Sequence, residues 1–402
     1  AGASPTPPRA PRSQNCKPET QGYACVPACA QTGGRARAGP FFESMTIHKR
    51  QSDTRALWLI LVGAVALRLV LSLVTEGYPY DMSCFVAWGE KLAAQGPAAF
   101  YSEGYFADYP PGYLYVLGLV GLLRGVFSIA YESPLTYLLM ALVPSLCDAG
   151  AAWLVWHIGT TFRPDSRVPM LLAAFTAFNP LLLFDTGVWK QIDGAFALPL
   201  LGCFWLLEQR RYLPAAFWYG VALAIKPQAL LFGPVLAVCF LAAIAREDDR
   251  LRAFGRCFGG AAVALVPVLA AGIPFYGIRD LLPSLVEKYA GTVSGYPYAS
   301  INAFNWLTAL GGNWQPLENT AFLGISWHTL GWFLILVVTG GLVAFAMRSV
   351  QRGNFSPLLL AAYYGLGAFT FGHCMHESYM VPGVLPPGGM ISGSMPPGSG
   401  CP

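Results

Sequence analysis

Residues 56–75 read ALWLILVGAVALRLVLSLVT, and residues 76–111 read EGYPYDMSCFVAWGEKLAAQGPAAFYSEGYFADYPP. The first run has the length and apolarity of one helical crossing of a bilayer, which takes about 20 residues. The second breaks away from it with Tyr80-Asp81, Trp88-Gly89, Phe100-Tyr101 and Asp108-Tyr109-Pro110-Pro111. An acid, a set of aromatics and a Pro-Pro pair thus fall in the first loop beyond the first span.

The rest of the chain repeats the apolar half of this pattern. Of 402 residues, 55% are hydrophobic and 11% charged, against about 25% charged in an ordinary soluble domain. The mean hydropathy is +0.48. Apolar runs fall near 56–75, 112–130, 134–157, 168–185, 194–207, 213–225, 228–244, 257–275, 327–347 and 356–372. None alternates apolar and polar residues as a membrane β-barrel strand does. The expectation is an all-α, polytopic transmembrane bundle of about 9–11 spans with a large first external loop. No basic helix or Lys/Arg stripe points to nucleic acid. Cys147, Cys203 and Cys239 sit in apolar runs as small core residues. Cys25 and Cys29 have no second ligand pair to make a zinc site.

Residues 1–44 are rich in Pro, Ala, Gly, Arg and Ser and are expected to be disordered. They lack the apolar segment of a signal peptide. Met45 looks like a natural start, which makes the preceding stretch an upstream extension. Residues 45–384 form the membrane domain. Residues 385–402 are a Gly/Pro/Ser tail after an unfinished apolar run, as if terminal helices were missing.

Lys and Arg in short loops set the topology. Lys49, Arg50 and Arg55 place the N-terminus inside; Arg163 and Arg167, Arg210 and Arg211, Arg246 to Arg256, and Arg348 and Arg352 mark further inside loops. Residues 76–111, 276–326 and 373 onward then fall outside. With 76–111 outside and 158–167 inside, 112–130 and 134–157 cannot both be single crossings. Either 112–130, with Arg124 in its middle, is re-entrant or interfacial, or one loop is assigned to the wrong side.

On the outer side collect the polar residues that the chain otherwise avoids. Asp81 is either a solvated loop carboxylate or a general base in a partly desolvated pocket. Asp108 caps the helix that Pro110-Pro111 starts, or faces the same cavity with Tyr109. Lys226, before Pro227, is a phosphate ligand between two half-helices or a snorkelling lysine. Gln191 and Asp193, in Trp189-Lys190-Gln191-Ile192-Asp193-Gly194, belong to a pocket or to a plain turn. His373 and His376 can share a helix face, with Glu377 beside them. The zinc-hydrolase spacing is absent, so the cluster suits phosphate or sugar better than metal. Asn302 and Asn305 lie among the aromatics of 276–326, which suits sugar stacking or interfacial anchoring equally.

The order of these motifs resembles the C-superfamily (GT-C) of integral-membrane glycosyltransferases. Asp81, Trp88, Phe100-Tyr101 and Asp108-Tyr109-Pro110-Pro111 are similar to the dolichyl-phosphate-glucose-dependent glucosyltransferases of N-glycan assembly. The whole set, with Trp189 to Asp193, Lys226, Ser300 to Asn305 and His376-Glu377, resembles bacterial relatives of GPI mannosyltransferase II over residues 56–384. The resemblance implies an inverting transfer without metal or cofactor, in which a polyprenyl-phosphate sugar, mannose by this likeness, is the co-substrate. Asp81 would be the base on the acceptor hydroxyl of a glycan or lipid-linked acceptor. Lys226 and His376-Glu377 would hold the donor phosphate on the external face of a bacterial plasma membrane. Relatives carry Lys or Arg after His-Glu, whereas this chain has Ser378. The rival class is a transporter or flippase for a lipid-linked or polar substrate, which tends to show paired repeats and midplane charges; no internal repeat is found, and the ionisable residues are expected to collect at one interface. A third reading is a non-catalytic membrane scaffold.

Overall fold

Tyr78, in extended conformation, is followed by Pro79 at the first position of a helix where the sequence predicts a loop. Helix α2 (Pro79–Gln95) forms there because Met82, Phe85, Val86 and Gly89 recur at helical spacing and bury one face. The computed structural model describes residues 40–384, with side chains from residue 53 onward apart from 292–294. The expected disorder of 1–39, the Cys25/Cys29 pair and the 385–402 tail lie outside the described residues. Helix α1 (Pro40–Val74) already begins within the segment expected to be disordered, at Pro40.

After α2 a single 3₁₀ turn, Pro97–Ala99, leads back to Pro110-Pro111 and to α3 (Pro111–Val126). Helices α2 and α3 cross at Gly89 and Gly121. A Cβ on Gly121 would lie 2.1 Å from the Gly89 carbonyl oxygen, so only glycine permits this approach. Helix α4 (Pro134–Phe162) follows. The run expected over 168–185 is broken: α5 (Val168–Ala177) ends before Asn179, which caps the short α6 (Pro180–Leu182), and a π turn continues over Leu183–Val188. Helices α7 (Asp193–Glu208) and α8 (Tyr212–Ile225) form a hairpin. A 3₁₀ segment, Pro227–Phe232, then precedes α9 (Gly233–Arg246).

Helix α10 (Arg250–Ser294) is much longer than the expected 257–275. Its direction changes at Gly277, where φ is 67°. The first third of the predicted 276–326 loop is therefore helical. The remainder carries β1 (Ser300–Ile301), α11 (Trp306–Ala309), and the antiparallel pair β2 (Thr320–Phe322) and β3 (Ile325–Ser326). Helices α12 (Trp327–Gln351) and α13 (Pro357–Phe371) complete the bundle. Then come β4 (Met375–His376), a 3₁₀ turn Glu377–Met380 and α14 (Val381–Val384). His373 and His376 thus share no helix face. Instead β4 pairs in parallel with β1, Ser300 opposite Met375 and Ile301 opposite His376.

Six helical segments are long and apolar enough to cross a membrane, among them Asp53–Val74, Pro134–Phe162, Arg250–Gly291 and Trp327–Gln351. Shorter apolar helices are Pro111–Val126, Tyr212–Ile225 and Pro357–Phe371. The main core packs α7 through Phe196, Leu200 and Phe204 against Val155 and Ile158 of α4, Leu342 of α12 and Tyr364 of α13.

The course of α3 is set by contacts at both of its ends. Its first turn lies against the end of α8, where a Cβ on Gly112 would be 2.3 Å from the Ala224 carbonyl oxygen. Near its other end, Arg124 donates to Thr136 Oγ1 in the first turn of α4 at 3.0 Å and to Glu90 of α2 at 2.7 Å. The end of α8 meets the start of α7 through Lys226 and Asp193. Gly194 in turn backs onto Pro144 and Asp148 near the middle of α4. The start of α7 and the end of α8 thus share one end of the bundle, level with the middle of α4, and α3 runs from there back to the first turn of α4. At the opposite end the loops are tied together: Ser356 donates to Glu208 at 2.7 Å, and Arg246 lies 4.6 Å from the Phe355 ring centroid.

Candidate active site

Asp81 sits in the first turn of α2, where a carboxylate is favoured by the helix dipole. The side-chain amide of Gln191 donates to its Oδ2. Burial raises the carboxyl's pKa above the ordinary aspartate value, while the Gln191 hydrogen bond and the charge of Lys226 pull it down. Gln191 is placed by a tightly tied turn. Lys190, buried and at φ 61°, donates to the carbonyl and hydroxyl oxygens of Thr75, both at 2.5 Å. The Tyr78 amide donates to the Trp189 carbonyl at 3.3 Å, and the Gln191 amide to that of Asp185 at 2.9 Å. The end of α1, the start of α2 and the 189–192 turn therefore form one unit.

Lys226 lies just past the last turn of α8 in extended conformation, as a residue preceding proline tends to. Its ammonium donates to both carboxylate oxygens of Asp193, at 2.8 and 3.0 Å, and Asp193 is fully buried. The Tyr379 ring lies 5.6 Å from the ammonium. Asp185 is buried within electrostatic reach of Asp193, Lys226 and Glu377. Deeper in the bundle Arg68 donates to Asp148 Oδ2 at 2.9 Å and to the Ala177 carbonyl at 2.7 Å, with Thr186 donating to the same Asp148 oxygen at 2.8 Å.

Asp108 accepts from the Tyr296 hydroxyl at 3.0 Å. Burial raises its pKa, and the Tyr296 bond opposes the rise. The Tyr296 ring meets His376 edge-on at 5.0 Å, and His376 lies 5.1 Å from Tyr379. The β1–β4 pairing is what brings the 296–305 loop to His376. Burial and the positive charge of Lys226 push the His376 imidazole down to about 4, so near pH 7 it is a neutral hydrogen-bonding group. Glu377 is pushed up by burial and by Asp81. Tyr109, just before α3, packs its ring on Phe85 and Trp88 of α2, at 5.7 and 5.4 Å, and so walls the site on that side.

Asp81, Asp108, Gln191, Asp193, Lys226, His376 and Glu377 thus converge, with Tyr109 in the wall. Three other candidates are occupied differently. His373 stacks on His328 at 5.6 Å and meets Trp332 at 5.3 Å. Asn305 caps α11 and donates to the carbonyls of Phe369 and Gly372, at 3.1 and 3.0 Å. Asn302, at φ 54°, accepts from Trp314 at 3.0 Å through its side chain. The two asparagines shape the loop that β1 brings against His376. Arg68, Asp148 and Asp185 were not singled out from the sequence, although each is an ionisable residue inside an apolar run, which is itself the signal.

Several buried polar atoms around Lys226 have no hydrogen-bond partner among the described residues: Asp185 Oδ2, both polar atoms of the Gln228 side chain, and Glu377 Oε2. Unsatisfied buried groups cost about 1–3 kcal/mol each, and such groups concentrate where a polar ligand binds. Among the described residues no group of three or more His, Cys, Asp or Glu side chains is placed to hold a metal ion.

A polytopic helical bundle with a carboxylate–lysine pocket at one end defines an integral-membrane protein with an enzyme-like site. The sequence model of glycosyltransferase family 87, a family of the GT-C membrane type, matches residues 106–372, well over half of the chain. The chain belongs to this family and is a glycosyltransferase. The match includes Asp108, Tyr109, Gln191, Asp193 and Lys226, while Asp81 precedes it and His376-Glu377 follow it. No curated protein matches the chain. The narrower likeness to GPI mannosyltransferase II has no support in these comparisons.

Proposed function

We propose that the protein transfers a sugar, mannose by the resemblance of its motifs, from a polyprenyl-phosphate donor to an acceptor hydroxyl on the external face of the membrane. The observation that carries this reading is the pairing of Asp81 with Gln191 beside Lys226. A carboxylate in a partly desolvated site, held by one donor, is suited to take a proton from an attacking hydroxyl. In the transfer, the acceptor oxygen bonds to the anomeric carbon as its proton passes to Asp81. The bond from that carbon to the phosphate oxygen breaks on the opposite side, which inverts the centre. The lipid phosphate leaves with the electron pair, and Lys226 stabilises the developing charge. His376, neutral near pH 7, contributes a hydrogen bond and no charge. This answers the Ser378 departure: Lys226 is the cation of the site. External placement is supported by the arginine-bearing loops at the opposite end of the bundle, the side that positive loops mark as inner.

The test is transfer of radiolabelled mannose from polyprenyl phosphate by the full chain in membranes, with glucose and arabinose lipids alongside. Asp81→Asn is expected to abolish transfer without lowering the melting temperature. Full activity in that variant would sink the assignment of the base, and no transfer from any of the three lipids by the unaltered chain would sink the donor class.

A further inference from the structure

A cavity of about 600 Å³ lies between the loop joining α2 to α3 and the second half of α10. Tyr80, Phe106, Tyr276 and Tyr296 give it aromatic walls. Tyr276 is itself held flat against Tyr101, the rings 5.0 Å apart and 8° from parallel. Tyr80, which directly precedes Asp81, and Asp108, bonded to Tyr296 and within electrostatic reach of Asp81, both line the cavity, so it opens beside the proposed base.

We propose that this cavity is the acceptor site and takes the terminal pyranose ring of a neutral glycoside. The proposal rests on the glycosyltransferase reading and adds the acceptor's chemistry and place to it. The volume falls within the roughly 300–1,000 Å³ of small-molecule sites. The electron-rich faces of aromatic rings attract the weakly positive C–H groups of a sugar face. Carboxylates accept hydrogen bonds from hydroxyls and can donate none. Asp108, Glu103 and Glu287 line the cavity, with Lys288 as its cation. The ammonium of Lys288 already donates to the Ala107 carbonyl at 2.5 Å and lies 4.5 Å from the Tyr101 ring centroid. Three carboxylates to one ammonium repel a phosphate and suit a hydroxyl-rich, uncharged ligand. An alkyl chain packed there would take Asp108 and the rim carboxylates of Glu103 and Glu287 out of water without offering them a hydrogen bond, which costs free energy. The two substrates are therefore divided by charge: the donor phosphate goes toward Lys226, the neutral acceptor toward Phe106 and Tyr276, with Asp81 between them.

Gly291 provides a variant that blocks the cavity with little cost to the fold. It lines the cavity, and a Cβ built on it meets no atom of the described residues within 4 Å. Phe106, 51% exposed, provides one that removes a wall. The full chain in nanodiscs is titrated with methyl α-D-mannopyranoside and methyl α-D-glucopyranoside and followed by saturation-transfer NMR. The unaltered chain and Asp81→Asn should both saturate the sugar ring protons. Gly291→Leu and Phe106→Ala should lose most of that signal. With the mannoside as acceptor they should raise its KM roughly tenfold and leave the donor KM unchanged. Equal signal in all four proteins, no signal in the unaltered chain, or displacement of the glycoside by inorganic phosphate would overturn the assignment. Glycoside binding that the cavity variants abolish, without turnover of any donor lipid, would refute the transferase reading and leave the cavity assignment standing. Transfer with a normal acceptor KM in Gly291→Leu would do the reverse.

Discussion

Gln191 donates its side-chain amide to Asp81 from a turn 110 residues further along the chain. That turn is fixed by Lys190 on Thr75, so the partner of the proposed base is set by the end of the preceding helix. The base is thereby held by local ties, and one neutral donor, together with the charge of Lys226, opposes the rise in its proton affinity that burial causes.

The pH dependence of transfer follows from this arrangement. Asp81 accepts a proton only when ionised, and burial raises its pKa, so kcat/KM should fall as pH drops through that raised value. The Gln191 bond favours the ionised form, so removing it raises the pKa further. In Gln191→Ala the acid limb should move to higher pH, with about a tenfold loss on that limb for each unit of displacement. The alkaline plateau should change less. A pH profile of kcat/KM in matched membranes reads this directly, and an unmoved acid limb would refute the role given to Gln191.

The Lys226–Asp193 pair predicts a separation of stability from activity. Removing one partner of a buried ion pair costs about 3–5 kcal/mol, because the other charge is left uncompensated, whereas replacing both can be close to neutral. Asp193→Asn and Lys226→Met should each lower the melting temperature in detergent, and Asp193→Asn/Lys226→Met should recover much of that loss. The double variant should still fail to transfer sugar, since the cation for the leaving phosphate is gone. A double variant that is both stable and active would remove Lys226 from the mechanism.

How far the sequence could be read depended on what kind of signal each residue sends. Long apolar runs announce themselves by length, and Asp81, Lys226 and His376 stand out because an apolar chain otherwise avoids such residues. The amphipathic α2 was missed because the Pro and aromatic residues around it read as a loop, and its apolar face is short. The break of α10 at Gly277 and the β1–β4 pairing were not legible, since each depends on where a distant segment packs. Asn305 and His373 have the chemistry of site residues, yet neighbours that no spacing rule shows engage them, Phe369 and Gly372 for one and His328 for the other. Tyr296 carries a site contact to Asp108, but as one aromatic among many it sent no separate signal.

The Gly89–Gly121 crossing links packing to the site. Helix α2 carries Asp81 at its start, and α3 begins three residues after Asp108, so the spacing of the two helices governs the distance between the two acids. A Cβ on Gly89 would lie 2.5 Å from the Leu117 carbonyl oxygen, and one on Gly121 would lie 2.1 Å from that of Gly89. The blocking atoms are backbone, which cannot rotate away as a side chain can. Gly121→Leu should force the helices apart at an overpacking cost of about 1–3 kcal/mol. The separation should be felt at both helix starts, so sugar transfer should fall further than the melting temperature alone would suggest. Gly125→Leu is the control, one turn along the same helix, where a Cβ meets no atom within 4 Å. It should retain both stability and transfer. Equal loss in the two variants would show that bulk anywhere on α3 is harmful, and would break the connection between the glycine crossing and the placement of Asp81 and Asp108.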